Sequence, residues 1–343
     1  MKREVAMNPA YARPCRHRAF WVVIVALLVV LAASLALNLA AVETLSGSAR
    51  PVFDDRGEDE FPQFAETHSC GAGTSKVVRI WFAGVLTREL DGGWLGTVDP
   101  VEDCLRQIRA ARQDPDVAGI LLEVDSPGGE VTAADEIHRE LTLFKASRAD
   151  RKLVVLVHDL AASGGYYISM PADRIVAQPT ALIGSIGVIM QTLNVQGLSE
   201  KIGVTDTTIK SGKNKDLLNP FHAVDPEQVA LLQESVDALH DRFVELVAAG
   251  RALKKSEVRP LADGRLFTAD EALRHKLIDA IGYWDEACAT LADLLGEEDL
   301  YVVTYQVERT FLEQLLGVRA PLPGLRALLS AAATPRRLYL WRP

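Results

Sequence analysis

Cysteine is scarce: four residues in 343, too few for a disulfide scaffold. No two of them form a Cys-x-x-Cys pair, and no histidine cluster has zinc spacing. A structural metal is therefore not expected, and no motif calls for a cofactor. No internal repeat is present, which excludes a fibrous or solenoid design. Basic residues are in deficit, with 37 Lys and Arg against 46 Asp and Glu and a formal net charge of -9. An acidic body argues against nucleic acid as a partner, because neutralising phosphates needs clustered Lys and Arg. What is present is a globular balance, 48% apolar and 24% charged, which excludes disorder of the whole chain.

The charge is unevenly distributed. Residues 1–42 hold five bases (Lys2, Arg3, Arg13, Arg16, Arg18) and one acid, Glu4, which leaves 32 bases and 45 acids for the rest. All five bases precede an uncharged run, Ala19 to Val42, whose polar members are Ser34 and Asn38. As a helix this run spans about 36 Å, enough for a hydrocarbon core of about 30 Å with some tilt. A cleavable signal peptide is the rival, but its apolar region is normally shorter, roughly 7–15 residues. The positive-inside rule keeps 1–18 in the cytoplasm and sends the body to the outer side of the membrane. Cys70, Cys104 and Cys288 would then face an oxidising space, where an odd number leaves one thiol free or paired between chains.

Residues 43–75 are rich in Gly, Ser, Asp, Glu and Pro without periodicity and read as a tether. A first strand is expected from Lys76 to Phe82, and a helix over Pro100–Arg112 with its apolar stripe at Val101, Cys104, Leu105 and Ile108. Val117–Val124 is apolar almost throughout, as a strand covered on both faces must be. Val131–Phe144 predicts a helix, Lys152–Val157 a second buried strand, and Tyr166–Met170 the start of another helix. This alternation implies an α/β fold with a largely parallel sheet and helical crossovers. Short strands are expected at Arg174–Ala177 and Ile186–Met190, and an edge strand at Val204–Lys210. Pro226–Leu253 reads as one long amphipathic helix, with Val229, Leu232, Val236, Leu239, Phe243 and Leu246 at steps of three and four. Residues 307–343 differ in character and form a tail outside the central core.

In open parallel sheets ligands bind beyond the carboxyl ends of the strands, and both buried strands end in glycine-rich turns. Ser126-Pro127-Gly128-Gly129 can aim backbone N–H groups at an anion or be a plain tight turn. In Ala161-Ala162-Ser163-Gly164-Gly165, small residues leave Ser163 Oγ unobstructed at a helix mouth. Ser163 is either a nucleophile or an ordinary N-cap. A nucleophilic serine needs a base. His158 is near in sequence without an obvious orienting acid. Lys210, Lys213 and Lys215 are the alternatives, each equally readable as solvated charge. A lysine becomes a base at neutral pH only where burial without a counter-ion lowers its pKa.

Four segments together carry a resemblance: Val124-Asp125-Ser126-Pro127-Gly128-Gly129, Ala161 to Ser169, Ile183-Gly184-Ser185-Ile186-Gly187-Val188-Ile189, and Lys210-Ser211-Gly212-Lys213-Asn214-Lys215-Asp216. With Gly264-Arg265-Leu266-Phe267-Thr268, Glu271-Ala272 and Leu277-Ile278-Asp279, the chain resembles the signal peptide peptidase A family over residues 76–306. These are membrane-bound serine peptidases with a Ser-Lys dyad. Ala269 and Lys276 stand where the family commonly has glycine. The resemblance implies a Clp protease/crotonase-like fold, Ser163 as nucleophile, Lys215 as general base, and backbone N–H groups of Gly129 and Gly164 as the oxyanion hole. Ser185 is a candidate to orient Lys215; Ser126, Ser185 and Ser211 each lack part of what a nucleophile needs. The short form of the chain puts serine and lysine in one copy of the domain and implies a homo-oligomer, a ring or dome. Expected substrates are signal peptides or other membrane-derived peptides, met at the bacterial cytoplasmic membrane, with the bilayer a partner through 19–42. Two other readings use the same motifs: a crotonase-type acyl-CoA enzyme, which would need a CoA phosphate site, and a non-catalytic membrane scaffold.

Overall fold

The computed structural model describes residues 64–88 and 99–306, the backbone of 337–340, and positions 30, 31 and 34. Apart from those three positions, the expected basic segment 1–18 and anchor 19–42 lie outside the described residues, as do 43–63 of the tether and most of the tail. Among the described residues no helix is long and apolar enough to cross a membrane.

The strands in chain order are β1 (Ala65–Cys70), β2 (Ser75–Ala83), β3 (Val117–Ser126), β4 (Gly128–Glu130), β5 (Lys152–Ala162), β6 (Arg174–Ala177), β7 (Leu182–Gly184), β8 (Ile189–Met190), β9 (Leu266–Thr268), β10 (Ala280–Ile281), β11 (Leu300–Gln306) and β12 (Arg337–Leu340). The helices are α1 (Pro100–Gln113), α2 (Val131–Ser147), α3 (Gly164–Ile168), α4 (Gln196–Ile202), α5 (Pro226–Gly250), α6 (Lys255–Val258), α7 (Ala269–Arg274) and α8 (Trp284–Leu295). The main sheet runs β1-β11-β2-β3-β5-β6-β10. Along this path it is parallel except where β1 lies against β11, and off the path β7 and β9 are antiparallel. Beyond β6, β5 continues and pairs with β7, which pairs with β9. A second, small sheet has the order β4-β12-β8. The mostly parallel α/β fold read from the alternation of strands and helices is therefore present.

Side-chain alternation divides the core between the two faces of the sheet. Ile120, Leu122 and Val124 of β3 and Leu153, Val155 and Val157 of β5 join the larger cluster with α1, α2 and Phe243 of α5. Leu121, Val154 and Leu156 join the smaller one with Ala287 and Leu291 of α8. Covering both faces is what makes β3 apolar almost end to end. α1 begins where Asp99 accepts from the N–H groups of Val101 and Glu102, with Pro100 in the first turn, where its missing N–H costs nothing. Val101, Cys104, Leu105 and Ile108 are its buried stripe, as their spacing requires. The Cys70, Cys104 and Cys288 thiols are free. Burial pushes the Cys104 thiol pKa up strongly and the Cys288 thiol, also beside Cys70, up to about 12; both are poor nucleophiles.

Several expectations need correction. Part of the assigned tether, Ala65–Cys70, is an antiparallel edge strand on β11; its polar residues follow from its exposure. The buried strand from Lys152 runs on to Ala162. Only Ile189–Met190 of the expected 186–190 strand is extended and paired. Residues 204–210 are not a strand. Their β-branched residues suit one, but no neighbour supplies a ladder, and Ile209 is 98% exposed. The long helix is shorter, ending at Gly250, and fully buries only Phe243, Val244, Val247 and Ala248; in the first half of its apolar stripe Val229 is exposed and Leu232, Val236 and Leu239 are half-buried. Lys276, where the family commonly has glycine, takes a φ of 59°, the left-handed region in which glycine is at ease.

Candidate active site

Ser163 stands where β5 passes into α3. Its N–H donates to Gly184 O at 2.7 Å and its carbonyl accepts from Tyr167 N at 2.9 Å, so one strand end and one helical turn hold its backbone. Its φ is 53° and ψ -114°, a conformation that costs a non-glycine residue about 1–3 kcal/mol and persists only when the surroundings impose it. An N-capping serine has extended backbone and accepts from the second or third helical N–H. Ser163 has neither property, and its side chain makes no cap hydrogen bond. The residue is 1% exposed, yet it lines a cavity of about 500 Å³ together with Ser185, Val188, Val236, His240 and Asp263. The strained backbone thus turns the hydroxyl out of the helix cap and into that cavity.

The α3 segment is tightly held. Tyr166 Oη donates to Leu277 O at 2.7 Å, and Tyr167 Oη donates to Asp135 Oδ1 at 2.6 Å, an oxygen that also accepts from Arg242 of α5. Burial alone would raise the Asp135 carboxyl; the bonds from Tyr167 and Arg242 outweigh it and hold the pKa below the usual range. Gly165 lies against β3: a Cβ there would sit 2.6 Å from Ser126 O. Gly165→Ala is expected to lower stability by about 1–3 kcal/mol through overpacking and to cut activity by displacing Ser163. Thermal melts and peptide hydrolysis check this; an unchanged melt with full activity would refute the contact.

Gly128 and Gly129 open β4, directly after the end of β3. Ser126 is fully buried. Its Oγ donates to Gly84 O at 2.7 Å and accepts from Gly128 N at 3.1 Å. Ser126 is thereby removed as a nucleophile and becomes the brace of the turn, a role not visible in the motif itself. Gly128 has a φ of 91°. Leu86 N donates to Gly128 O and Leu86 O accepts from Glu130 N. Gly129, between them, therefore points its own N–H to the opposite side, where β12 runs antiparallel with Tyr339 opposite Gly129. The same strand pairs with β8 through Arg337 and Leu338. The Gly164 N–H belongs to a first helical turn, whose donors the helix itself cannot satisfy.

The candidate bases separate clearly. His158 lies on β5, where its Nε2–H donates to Glu123 Oε2 at 2.6 Å and Nδ1 accepts from Gln178 Nε2 at 2.9 Å. Glu123, buried and also bound by Arg79, is the orienting acid that the sequence concealed. With both ring nitrogens taken and no place in the Ser163 cavity, His158 is not the base. Lys210 Nζ pairs with Asp216 Oδ1 at 2.6 Å and Lys213 Nζ with Glu227 Oε2 at 2.5 Å; the Glu227 bond raises the Lys213 pKa. Lys215 lies in the turn over 213–218, is exposed, and does not line the Ser163 cavity. Its amine has no ion pair or hydrogen bond among the described residues. Ser185 shares the cavity with Ser163 and has a φ of 48°. The isolated chain thus brings Ser163 and Ser185 to one cavity and leaves Lys215 apart. Among the described residues no group of His, Cys, Asp and Glu could hold a metal.

Comparison with known proteins identifies the family. The Peptidase family S49 profile matches residues 145–297. A protein of Enterococcus faecium assigned as a signal peptide peptidase SppA is 37% identical over 268 residues, 77% of each chain. Protease 4 of Salmonella typhi is 36% identical over 66% of this chain but only 37% of its own length. The chloroplastic serine protease SPPA of Arabidopsis thaliana is 33% identical over 57% of this chain and 28% of its own. A solved ClpP1 mutant from Listeria monocytogenes aligns with 61% of this chain and 93% of its own at 14% identity and a TM-score of 0.40, too low to decide anything about the fold. By the extent of its match to the Enterococcus faecium protein, the chain belongs to peptidase family S49, the signal peptide peptidase A family, and is a serine peptidase.

Proposed function

We propose that the protein is a membrane-anchored endopeptidase in which Ser163 attacks the scissile carbonyl and Lys215 is the general base. The observation that carries this reading is the left-handed backbone at Ser163, which withholds the hydroxyl from the helix and presents it to a cavity. Lys215 is the base because Lys210 and Lys213 are neutralised by carboxylates, whereas a lysine base must lack a counter-ion.

In the bare chain Lys215 is exposed, whereas a lysine base needs burial without a counter-ion. Covering the loop supplies the missing desolvation. The surface around it invites cover: Leu193, Leu198, Ile202, Ile209, Val224 and Val229 are all exposed. A homo-oligomer that buries this surface would bring Lys215 to Ser163, from the same chain or from a neighbour, with Ser185 orienting the amine. The finer fold assignment, a Clp protease/crotonase-like arrangement, rests on the parallel spine β2-β3-β5-β6 with the Gly-Gly turn ending β3 and the serine ending β5.

The chemistry follows. Neutral Lys215 takes the Oγ proton as Oγ bonds to the peptide carbon. The Gly129 and Gly164 N–H groups receive the oxyanion, each such donor being worth about 2.7–4 kcal/mol. Lys215 passes the proton to the leaving amine, and water then hydrolyses the acyl-enzyme. An extended substrate takes the lane between β4 and β8 that β12 occupies, held by main-chain bonds, as peptides that add to sheet edges are. Backbone recognition suits varied apolar peptides, such as signal peptides reached from an anchor at 19–42 in the bacterial cytoplasmic membrane. Treating the full-length protein in membranes or detergent with a fluorophosphonate should modify Ser163 alone, as mapped by peptide mass spectrometry. Modification of another serine instead would move the nucleophile there, and none on the folded protein would favour the scaffold reading.

A further inference from the structure

Asp216 is the residue next to Lys215, and a carboxylate beside a catalytic lysine should be harmful. Paired with it, Lys215 would stay an ammonium ion. The loop prevents this pairing. Lys210 Nζ bonds Asp216 Oδ1 at 2.6 Å and Lys213 O at 3.2 Å, gripping the chain on both sides of Lys215. His222 Nδ1 stands 3.8 Å from Asp216 Oδ2, and its Nε2 is 3.3 Å from Asp206 Oδ2. The other carboxylates of 204–227 are also engaged: Asp206 accepts from Thr208 and Asn219, Asp225 caps α5 through Glu227 N, and Glu227 holds Lys213. The Lys210 bond, ahead of any other contact, keeps the Asp216 carboxyl ionised below its usual range. Of the three lysines, Lys215 is left with no acid.

We infer that Lys210 is a positioning residue that sequesters Asp216, so that the Lys215 amine remains without a counter-ion and can act as a base. This rests on the assignment of Lys215 as base. Lys210 acts through charge in two ways: it occupies the one adjacent carboxylate, and it adds a positive charge that disfavours a second ammonium nearby.

The test is the pH dependence of kcat/KM for an internally quenched apolar peptide, using the full-length assembled protein and matched for assembly size and melting temperature. Lys210→Met should free Asp216 to pair with Lys215 and move the acid limb up by about one pH unit, a roughly tenfold loss on that limb, with the high-pH plateau largely retained. Lys210→Arg should keep the wild-type limb. Adding Asp216→Asn to Lys210→Met should return the limb to its original position, and Asp216→Asn alone should not raise it. A uniform loss at every pH, unrelieved by Asp216→Asn, would mean that Lys210 only braces the loop and would overturn the inference. Lys215→Ala is run beside these variants. If it retains full activity, the base assignment itself fails, whereas an inactive Lys215→Ala with an unmoved Lys210→Met limb defeats only the role of Lys210.

Discussion

Ser163→Ala is expected to abolish peptide hydrolysis, by a factor of at least about 10⁴, since in the proposed mechanism it removes the nucleophile and leaves only binding and oxyanion stabilisation. The fold should not notice. The Ser163 hydroxyl makes no cap bond, and the contacts that hold the position are backbone ones, to Gly184 O and from Tyr167 N, which alanine keeps. Alanine is no happier at a φ of 53° than serine, so the strain is unchanged and the melting temperature should move by no more than about 2–4 °C. Assays of hydrolysis and thermal melts on one preparation check both halves. Residual activity above about a hundredth of wild type would move the nucleophile elsewhere, and Ser185 is the remaining serine in the cavity.

Lys215→Met should cost nearly as much, about 10³-fold or more, because in the proposed mechanism nucleophile and base act as one unit. Methionine keeps most of the stem and removes the amine. In the isolated chain Lys215 has no partner among the described residues and is exposed, so its loss should be nearly neutral for folding. The wild-type rate should fall toward acid pH as the amine takes up a proton, and fluorophosphonate labelling should fall with it. Measuring kcat/KM from pH 5 to 9 decides the matter. A flat profile, or a Lys215→Met variant that still hydrolyses peptide, would contradict the lysine as base.

The parts of the molecule legible in the sequence were those whose cause is local. Val117–Val124 and Lys152–Val157 are apolar because both sheet faces are covered, and their glycine-rich ends follow from the turns they make. Ser163 stood out because only small residues surround it. What escaped depends on distant partners. Ala65–Cys70 is polar and became a strand only because β11 lies beside it. Val204–Lys210 has the right residues for a strand and no neighbour. Glu123 is one charge in a buried strand, and its partner His158, 35 residues on, meets it only because β5 lies beside β3. The placing of β12 between β4 and β8 joins segments some 150 to 210 residues apart, which no local pattern records. Lys215 could be named from its motif, but its absence from the lining of the serine cavity could not, because that depends on how the whole 204–227 segment lies over the sheet.

β5 has a consequence of its own. It runs from half-buried Lys152 to Ala162, one residue before Ser163. Its first half is clamped between β3 and β6; beyond an irregularity after Val157 it pairs with β7, and with β3 only at Ala161. The strand works as a ruler laid from the interior to the reacting atom. A volume change at Leu156 or Val157 would therefore travel along one stiff rod to the hydroxyl without passing through any residue that touches a substrate.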